Sequence, residues 1–244
     1  MRGTLIKQGN SKRIFSSGDG LCVVELIPSL SSFTYSRYED VEGTEVLRLD
    51  FYEMAAARLA EAGIHTAFRE RVAPNAYLAD LCSESPFEVI VKNVAQGSTT
   101  RKYPGLFEDG MRLPFPVVKF DYRTSPEDQP IAEDYVRAYG GDPDSDKAVV
   151  LAANAVLREW LAPRDLHDIC FVVGHNAAGL RTIVSEISPD CMRLKSPEGA
   201  SLDKDLFRQG KPGDEILEVW RTLVSDLRAA TADLHDRTLA PAAQ

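Results

Sequence analysis

Phe87-Glu88-Val89-Ile90-Val91-Lys92-Asn93-Val94-Ala95-Gln96-Gly97-Ser98 is the stretch on which the fold turns. Its first seven residues follow the two-residue period of a strand, so Glu88, Ile90 and Lys92 project from one face. A face holding one acid and one base is either a site or a solvent-facing cross-strand ion pair, which would contribute only about 0–1 kcal/mol. The run ends at Gln96-Gly97-Ser98, a turn of small residues.

Upstream, short β-rich runs alternate with turns: 4–6, 13–15, the Ser-Ser-Gly-Asp-Gly turn at 16–20, then 21–27. Asp50 and Glu53 form a capping box that predicts a helix over 51–62, stopped by Gly63, and 66–81 reads as further strand. Downstream, prolines and glycines between basic and aromatic residues make 99–122 an ordered loop region. Asp144, Ser145 and Asp146 offer caps for a helix to Leu161, and strands over 169–173 and 180–187 flank a turn at 174–179. Ile216, Leu217, Trp220, Leu223, Val224 and Leu227 mark an amphipathic helix, with a frayed tail at 240–244. The class expected is α+β. Residues 1–84 form an N-terminal β-rich lobe and 85–244 a C-terminal α/β lobe, and without a low-complexity linker the two must share a tight interface.

The chain has 244 residues, 44% of them hydrophobic and 27% charged, which is enough for a core of its own and excludes disordered and collagen-like classes. Its 28 Lys and Arg against 37 Asp and Glu leave a net charge of −9, which argues against nucleic acid as a partner but permits an anionic small molecule held by a local cation cluster. Cys22, Cys82, Cys170 and Cys191 show neither metal nor disulfide spacing, so free thiols are expected. The start lacks an apolar signal segment and no run approaches membrane-spanning length, so a cytoplasmic enzyme or binding protein away from the membrane is expected. His65, His167, His175 and His235 have no spacing that supports a triad or a metal.

Two segments hold residues suited to chemistry. Gly9-Asn10-Ser11-Lys12-Arg13 lies between β runs, where small residues let backbone N–H groups approach a phosphate and Lys12 adds charge. An ordinary hairpin with solvated cations would look the same. From Ser185 to Arg193, Glu186, Ser188, Asp190 and Arg193 gather at a strand end, a natural place for a metal ligand, an acceptor and a phosphate-binding guanidinium. A salt-bridged strand end is the alternative.

Taken in order, these segments resemble the SAICAR synthetase family. Gly9–Phe15 is similar to the family's GKAKRIY, Glu88–Ser98 to EVVVRNIAAGS, Glu186–Leu194 to EISPDTCRLW and Leu202–Arg208 to LDKDRFR, with Leu59–Thr66 matching between them. The resemblance implies an ATP-grasp-like architecture of two lobes enclosing ATP and Mg²⁺. It implies activation of an imidazole carboxylate as an acyl phosphate and its capture by the amino group of aspartate. Under it, Lys12 and Glu186 serve the nucleotide, Glu88 the metal, and Lys92, Ser98, Asp190, Arg193 and Lys204 the phosphorylated substrate, while the catalytic residues stay unassigned. A homodimer is compatible with it.

The chain also departs from the family pattern. Asn10 replaces the first Lys of GKAK, Cys170 and Val172 replace the Lys and Glu of FKLEFG, and Ser185 replaces the Asp of DEISPD. Residues 31–35 and 44–49 replace the SAFNG and KG-x-x-NN segments. Two expectations follow: a carboxylate–amine ligase turned to a different acid or amine in a specialised pathway, or an ATP-independent enzyme or small-molecule binder on the same scaffold. Lys92 stands where the family has Arg and lacks the bidentate fork, so Arg193 is expected to be the main anion anchor.

Overall fold

The computed structural model describes residues 3–32, 35–124 and 127–239. The expected frayed tail and parts of the 31–35 segment lie outside these residues. The chain begins with β1 (Leu5–Gln8), β2 (Lys12–Gly18) and β3 (Leu21–Leu26), followed by the hairpin β4 (Ser29–Ser32) and β5 (Arg37–Asp40). Helix α1 (Thr44–Glu61) leads to β6 (Phe68–Ala73) and β7 (Ala76–Asp80). Five of these strands make an antiparallel sheet in the order β1-β2-β3-β7-β6. The β2–β3 turn needs three successive positive-φ residues, and Gly18, Asp19 and Gly20 supply them with φ of 81°, 50° and 74°. Cys22, Val24 and Leu26 alternate along β3 and are buried toward α1.

Helix α1 starts earlier than the capping box predicts. Thr44 Oγ1 donates to Val41 O at 2.7 Å, and Gly43 takes φ 99°, which turns the chain into the helix six residues before Asp50. Asp50 sits inside the helix and meets Arg71 at 2.6 Å and Arg228 at 3.3 Å, so the box is a pair of outward charges on a longer helix.

The second half holds β8 (Ser83–Glu84), β9 (Phe87–Ala95), α2 (Ser98–Lys102), β10 (Met111–Tyr122), β11 (Gln129–Ile131), α3 (Glu133–Ala138) and α4 (Pro143–Leu161). It continues through β12 (Asp165–Phe171), β13 (Val173–His175), β14 (Arg181–Ile183), β15 (Met192–Lys195), α5 (Asp205–Arg208) and α6 (Gly213–Leu239). Strand β9 is the middle of an antiparallel sheet ordered β11-β10-β9-β12-β15. The 99–122 loop expectation is corrected: Met111 and Arg112 pair with Ala95 and Val94, and pairing resumes at Val117 opposite Lys92. Pro114 and Pro116 fall in the interruption, where no ladder N–H is required of them. Helix α4 is capped by Asp142, whose Oδ1 accepts from Ser145 N, with Pro143 in the first turn, rather than by Asp144, Ser145 or Asp146.

One apolar core runs through both halves, joining Val24, Leu59 and Tyr77 to Val91, Phe171, Leu194 and Leu223. Strand β8, which ends at Glu84, pairs with β13 of the second half, and this core crosses the same position. Ala67 N also donates to Ile183 O across the junction at 2.9 Å. Among the described residues, no helix is long and apolar enough to cross a membrane.

Candidate active site

The β1–β2 hairpin arches over a slot of about 350 Å³ between the first sheet and the chain flanking β13 and β14. Gly9, Ser11 and Lys12 form its lip, Val24, Tyr77 and Ala79 line one wall, and Val172, Val184 and Ser185 line another. Gly9 N donates to Lys12 O at 2.9 Å, which closes the hairpin turn and places Lys12 at the opening. Asn10 is exposed and outside the lining. Ser185 Oγ is spent inside the fold, accepting from Val172 N at 3.0 Å. At the rim, Glu84 is shared by Lys7 at 2.5 Å and Arg123 at 2.9 Å, and these cations outweigh burial to hold its carboxyl below the usual range. The slot is therefore apolar inside and charged at its mouth.

Behind the hairpin lies Glu186, 4% exposed, and its main partner is one the sequence reading missed. Arg48, wholly buried on the inner face of α1, donates Nε to Glu186 Oε1 at 2.7 Å, places Nη2 at the same distance and donates Nη1 to Ile27 O at 3.1 Å. Ser188 Oγ also donates to Oε1, at 3.0 Å, and Lys12 Nζ lies 3.5 Å from Oε2. Burial alone would raise the Glu186 carboxyl, but Arg48 and Lys12 outweigh it and hold the carboxyl low. A signal for Arg48 was present: it precedes Tyr52, Ala55 and Leu59 at helical spacing, which puts a cation on the core face. Asp190 and Lys204, both expected to hold substrate, pair with each other at 2.9 Å.

A second cavity, of about 320 Å³, opens where β9 turns into α2. Arg193, Arg208 and Arg101 line it together with Gln96, Gly97, Thr100 and Asp205. Arg193 is fixed from two sides, Nη1 to Asp168 at 2.7 Å and Nε to Asp205 at 3.2 Å. Gly97 takes φ 66° and ψ −115°, and a Cβ there would stand 2.6 Å from Arg193 Nη2, so the turn exists at this distance only as glycine. Lys92 does not reach the lining; it is 3% exposed and donates to Asp168 at 2.6 Å and Gln96 O at 3.3 Å. Burial lowers its ammonium while Asp168 opposes that loss. Asp168 is held low by Lys92 and Arg193 against its own burial. Ser98, the first residue of α2, is half-buried beside this cavity and outside its lining.

Glu88, expected to meet a metal, lies in neither cavity. It sits beside the Cys170 thiol and within reach of the charges of Asp128 and Asp121, and burial pushes its carboxyl up. Cys170 is itself raised well above the thiol range by burial and by Glu88, so it is a poor nucleophile. Among the described residues, no three His, Cys, Asp or Glu side chains converge as a metal cluster. Magnesium beside a nucleotide is held by one or two carboxylates and the phosphates, and the Glu186 carboxylate already carries Arg48 and Ser188 on Oε1. A larger open groove of about 840 Å³ near the end of α4 offers no free charge at Arg112 and Arg164, which are paired with Asp165 and Asp226.

The sequence model of SAICAR synthetase matches residues 5–222. A phosphoribosylaminoimidazole-succinocarboxamide synthase of Methanocaldococcus jannaschii is 31% identical over 209 residues, covering 82% of this chain and 86% of the relative. The synthase of the same name from Methanopyrus kandleri is 31% identical, covering 88% of this chain and 90% of its own. Among solved structures, a SAICAR synthetase in complex with ADP superposes with a TM-score of 0.85 at 24% identity, over 91% of this chain and 96% of that one. The phosphoribosylaminoimidazole-succinocarboxamide synthase of Ehrlichia chaffeensis gives the same TM-score at 21% identity, over 93% and 99%. These likenesses in space establish the α+β fold. With the family match and the two relatives beside them, the chain belongs to the SAICAR synthetase family, whose members are carbon–nitrogen ligases that use ATP.

Proposed function

We propose that the protein joins the carboxylate of a phosphoribosylated aminoimidazole to the amino group of aspartate, at the expense of ATP. One observation carries this reading: the segment from Ser185 to Arg193 connects the two cavities, with Ser185 lining the interlobe slot and Arg193 lining the arginine-rich one. A nucleotide in the slot and a phosphate among Arg193, Arg208 and Arg101 would then share one wall. Arginine suits the second role because its planar fork matches phosphate oxygens. The relatives' name, with its phosphoribosyl, aminoimidazole and succinocarboxamide parts, supports the same substrate class and purine biosynthesis. The specialised pathway expected from the altered loops finds no support in these comparisons.

The chemistry balances as follows. A carboxylate oxygen attacks the γ-phosphorus of ATP, giving an acyl phosphate and ADP; the amine then attacks the acyl carbon, an amide forms, phosphate leaves and the amine loses its proton. Lys12 would attract the nucleotide's phosphates at the hairpin lip, and Arg193, fixed by Asp168 and Asp205, would orient the acid. The apolar walls of the slot favour the alternative of an ATP-independent binder, and a turnover assay separates the two. ADP release is followed with ATP, aspartate and 5-aminoimidazole-4-carboxylate ribotide, then with each left out. Release that requires all three is the expected result. Its absence, beside an active synthase of this family, would overturn the ligase reading.

A further inference from the structure

The carboxylate expected to serve a nucleotide is already neutralised from inside the protein. Glu186 Oε1 is taken by two guanidinium nitrogens of Arg48 and by Ser188, while Oε2 accepts no hydrogen bond and faces Lys12 Nζ at 3.5 Å. Asp190 repeats the pattern, since its Oδ1 is buried without a well-aligned hydrogen bond and faces Lys204 Nζ at 2.9 Å. The two carboxylates thus sit among three cations, Arg48, Lys12 and Lys204, and the cluster keeps a positive excess. A magnesium ion beside a nucleotide is held by one or two carboxylates together with waters and the phosphates, and those carboxylates must keep their lone pairs free. Here the lone pairs that could serve it already meet positive charge, and entry of a doubly charged ion would add repulsion. The other oxygens are also engaged: Asp80 and Glu84, which line the slot, are paired with Arg69 and with Lys7 and Arg123, Ser185 accepts from the Val172 backbone, and Glu88 lies elsewhere beside Cys170.

We propose that Arg48 takes the place of a divalent ion at Glu186, so that the slot binds a nucleoside phosphate in its metal-free form, with Lys12 as the cation that meets it. The proposal rests on the reading of the slot as the nucleotide site. Arg48 itself is wholly buried and does not touch the ligand. It acts through Glu186: by satisfying that carboxylate it prevents Glu186 from immobilising Lys12 in a tight pair, and the 3.5 Å separation leaves the ammonium at the lip of the slot.

Calorimetric titration of the full chain with ADP, once in EDTA and once in excess Mg²⁺, tests this directly. The expected dissociation constants agree within about threefold, whereas a metal-bridged site would lose on the order of tenfold or more on chelation. Lys12→Met should weaken ADP by on the order of tenfold in EDTA, the loss of one charge-assisted contact. Arg48→Asn, which frees Glu186, should make ADP binding depend on Mg²⁺, and Arg48→Lys should keep it independent. If Arg48→Asn does not fold, the wild-type pair of titrations still decides. Binding seen only with Mg²⁺ overturns the proposal and leaves the slot as a nucleotide site. No binding of ADP in either buffer overturns the nucleotide reading and the proposal with it.

Discussion

Asp168 holds the anion cavity together residue by residue. Its carboxylate is 5% exposed and receives both Lys92 and Arg193, so one acid fixes the half-buried anchor that lines the cavity and the hidden cation behind it. Removing Arg193 should cost ligand contact, and removing Lys92 should cost mainly stability. The expected outcome of Arg193→Ala is a loss of about 1.5–3 kcal/mol in binding of a phosphorylated imidazole ligand, the range of a charge-assisted hydrogen bond. Lys92→Ala should change that affinity less while lowering stability by about 3–5 kcal/mol, because it leaves Asp168 and its network with a broken buried pair. Calorimetry beside denaturant melts separates the effects, and unchanged affinity in Arg193→Ala would make both cations structural. The sequence showed Lys92 and Arg193 as cations in a substrate motif. It could not show that one lies behind the other, because a strand's alternation assigns faces and says nothing of what covers them. Arg48 escaped for a related reason: a helix expected to begin at 51 left it outside, although its spacing to Tyr52, Ala55 and Leu59 already put it on the buried face of a longer one.

At the scale of elements, the turn from β9 into α2 sets the distance between backbone and guanidinium. Gly97 occupies a region of backbone space that side chains seldom enter, and Arg193 fills the volume a Cβ would need. Gly97→Ala is therefore expected to lower stability by about 1–3 kcal/mol through backbone strain and to weaken ligand binding by displacing Arg193. A thermal melt and the same ligand titration would check it, and an unchanged affinity would free the cavity from this turn. Strand β9 was legible from its period, since Phe87, Val89 and Val91 fall on one face and Glu88, Ile90 and Lys92 on the other. Strand β10 was hidden because Pro114 and Pro116 read as punctuation, although they lie where the ladder is interrupted. The true start of α1 depended on Thr44 reaching Val41 O, a contact that a capping box at Asp50 and Glu53 outweighed on paper.

For the molecule as a whole, the same ion pairs that shape the site tie distant parts of the chain together and should govern its response to acid. Lys204 and Arg48 outweigh burial and hold the Asp190 carboxyl down at about 2, against an ordinary 3.8. In the unfolded chain Asp190 takes up its proton near pH 4, whereas in the folded chain it resists until about pH 2. Stability from this group is therefore fully present above about pH 4 and is lost as the pH falls from there toward 2. Glu186, also held low, adds a loss of the same sign. Below the isoelectric point near pH 5.0 the net charge turns positive and grows as carboxylates protonate, so global self-repulsion adds a further loss of the same sign over this window. Comparison with Lys204→Met separates the two, since both chains share nearly the same global charge but only one keeps the pair. Denaturant melts should show the variant less stable by on the order of 2 kcal/mol at pH 7, with the gap narrowing steadily between pH 4 and 2. A gap that stays constant over that range would mean that Lys204 does not hold the Asp190 proton off, and that the loss at pH 7 comes from packing of the lysine stem alone.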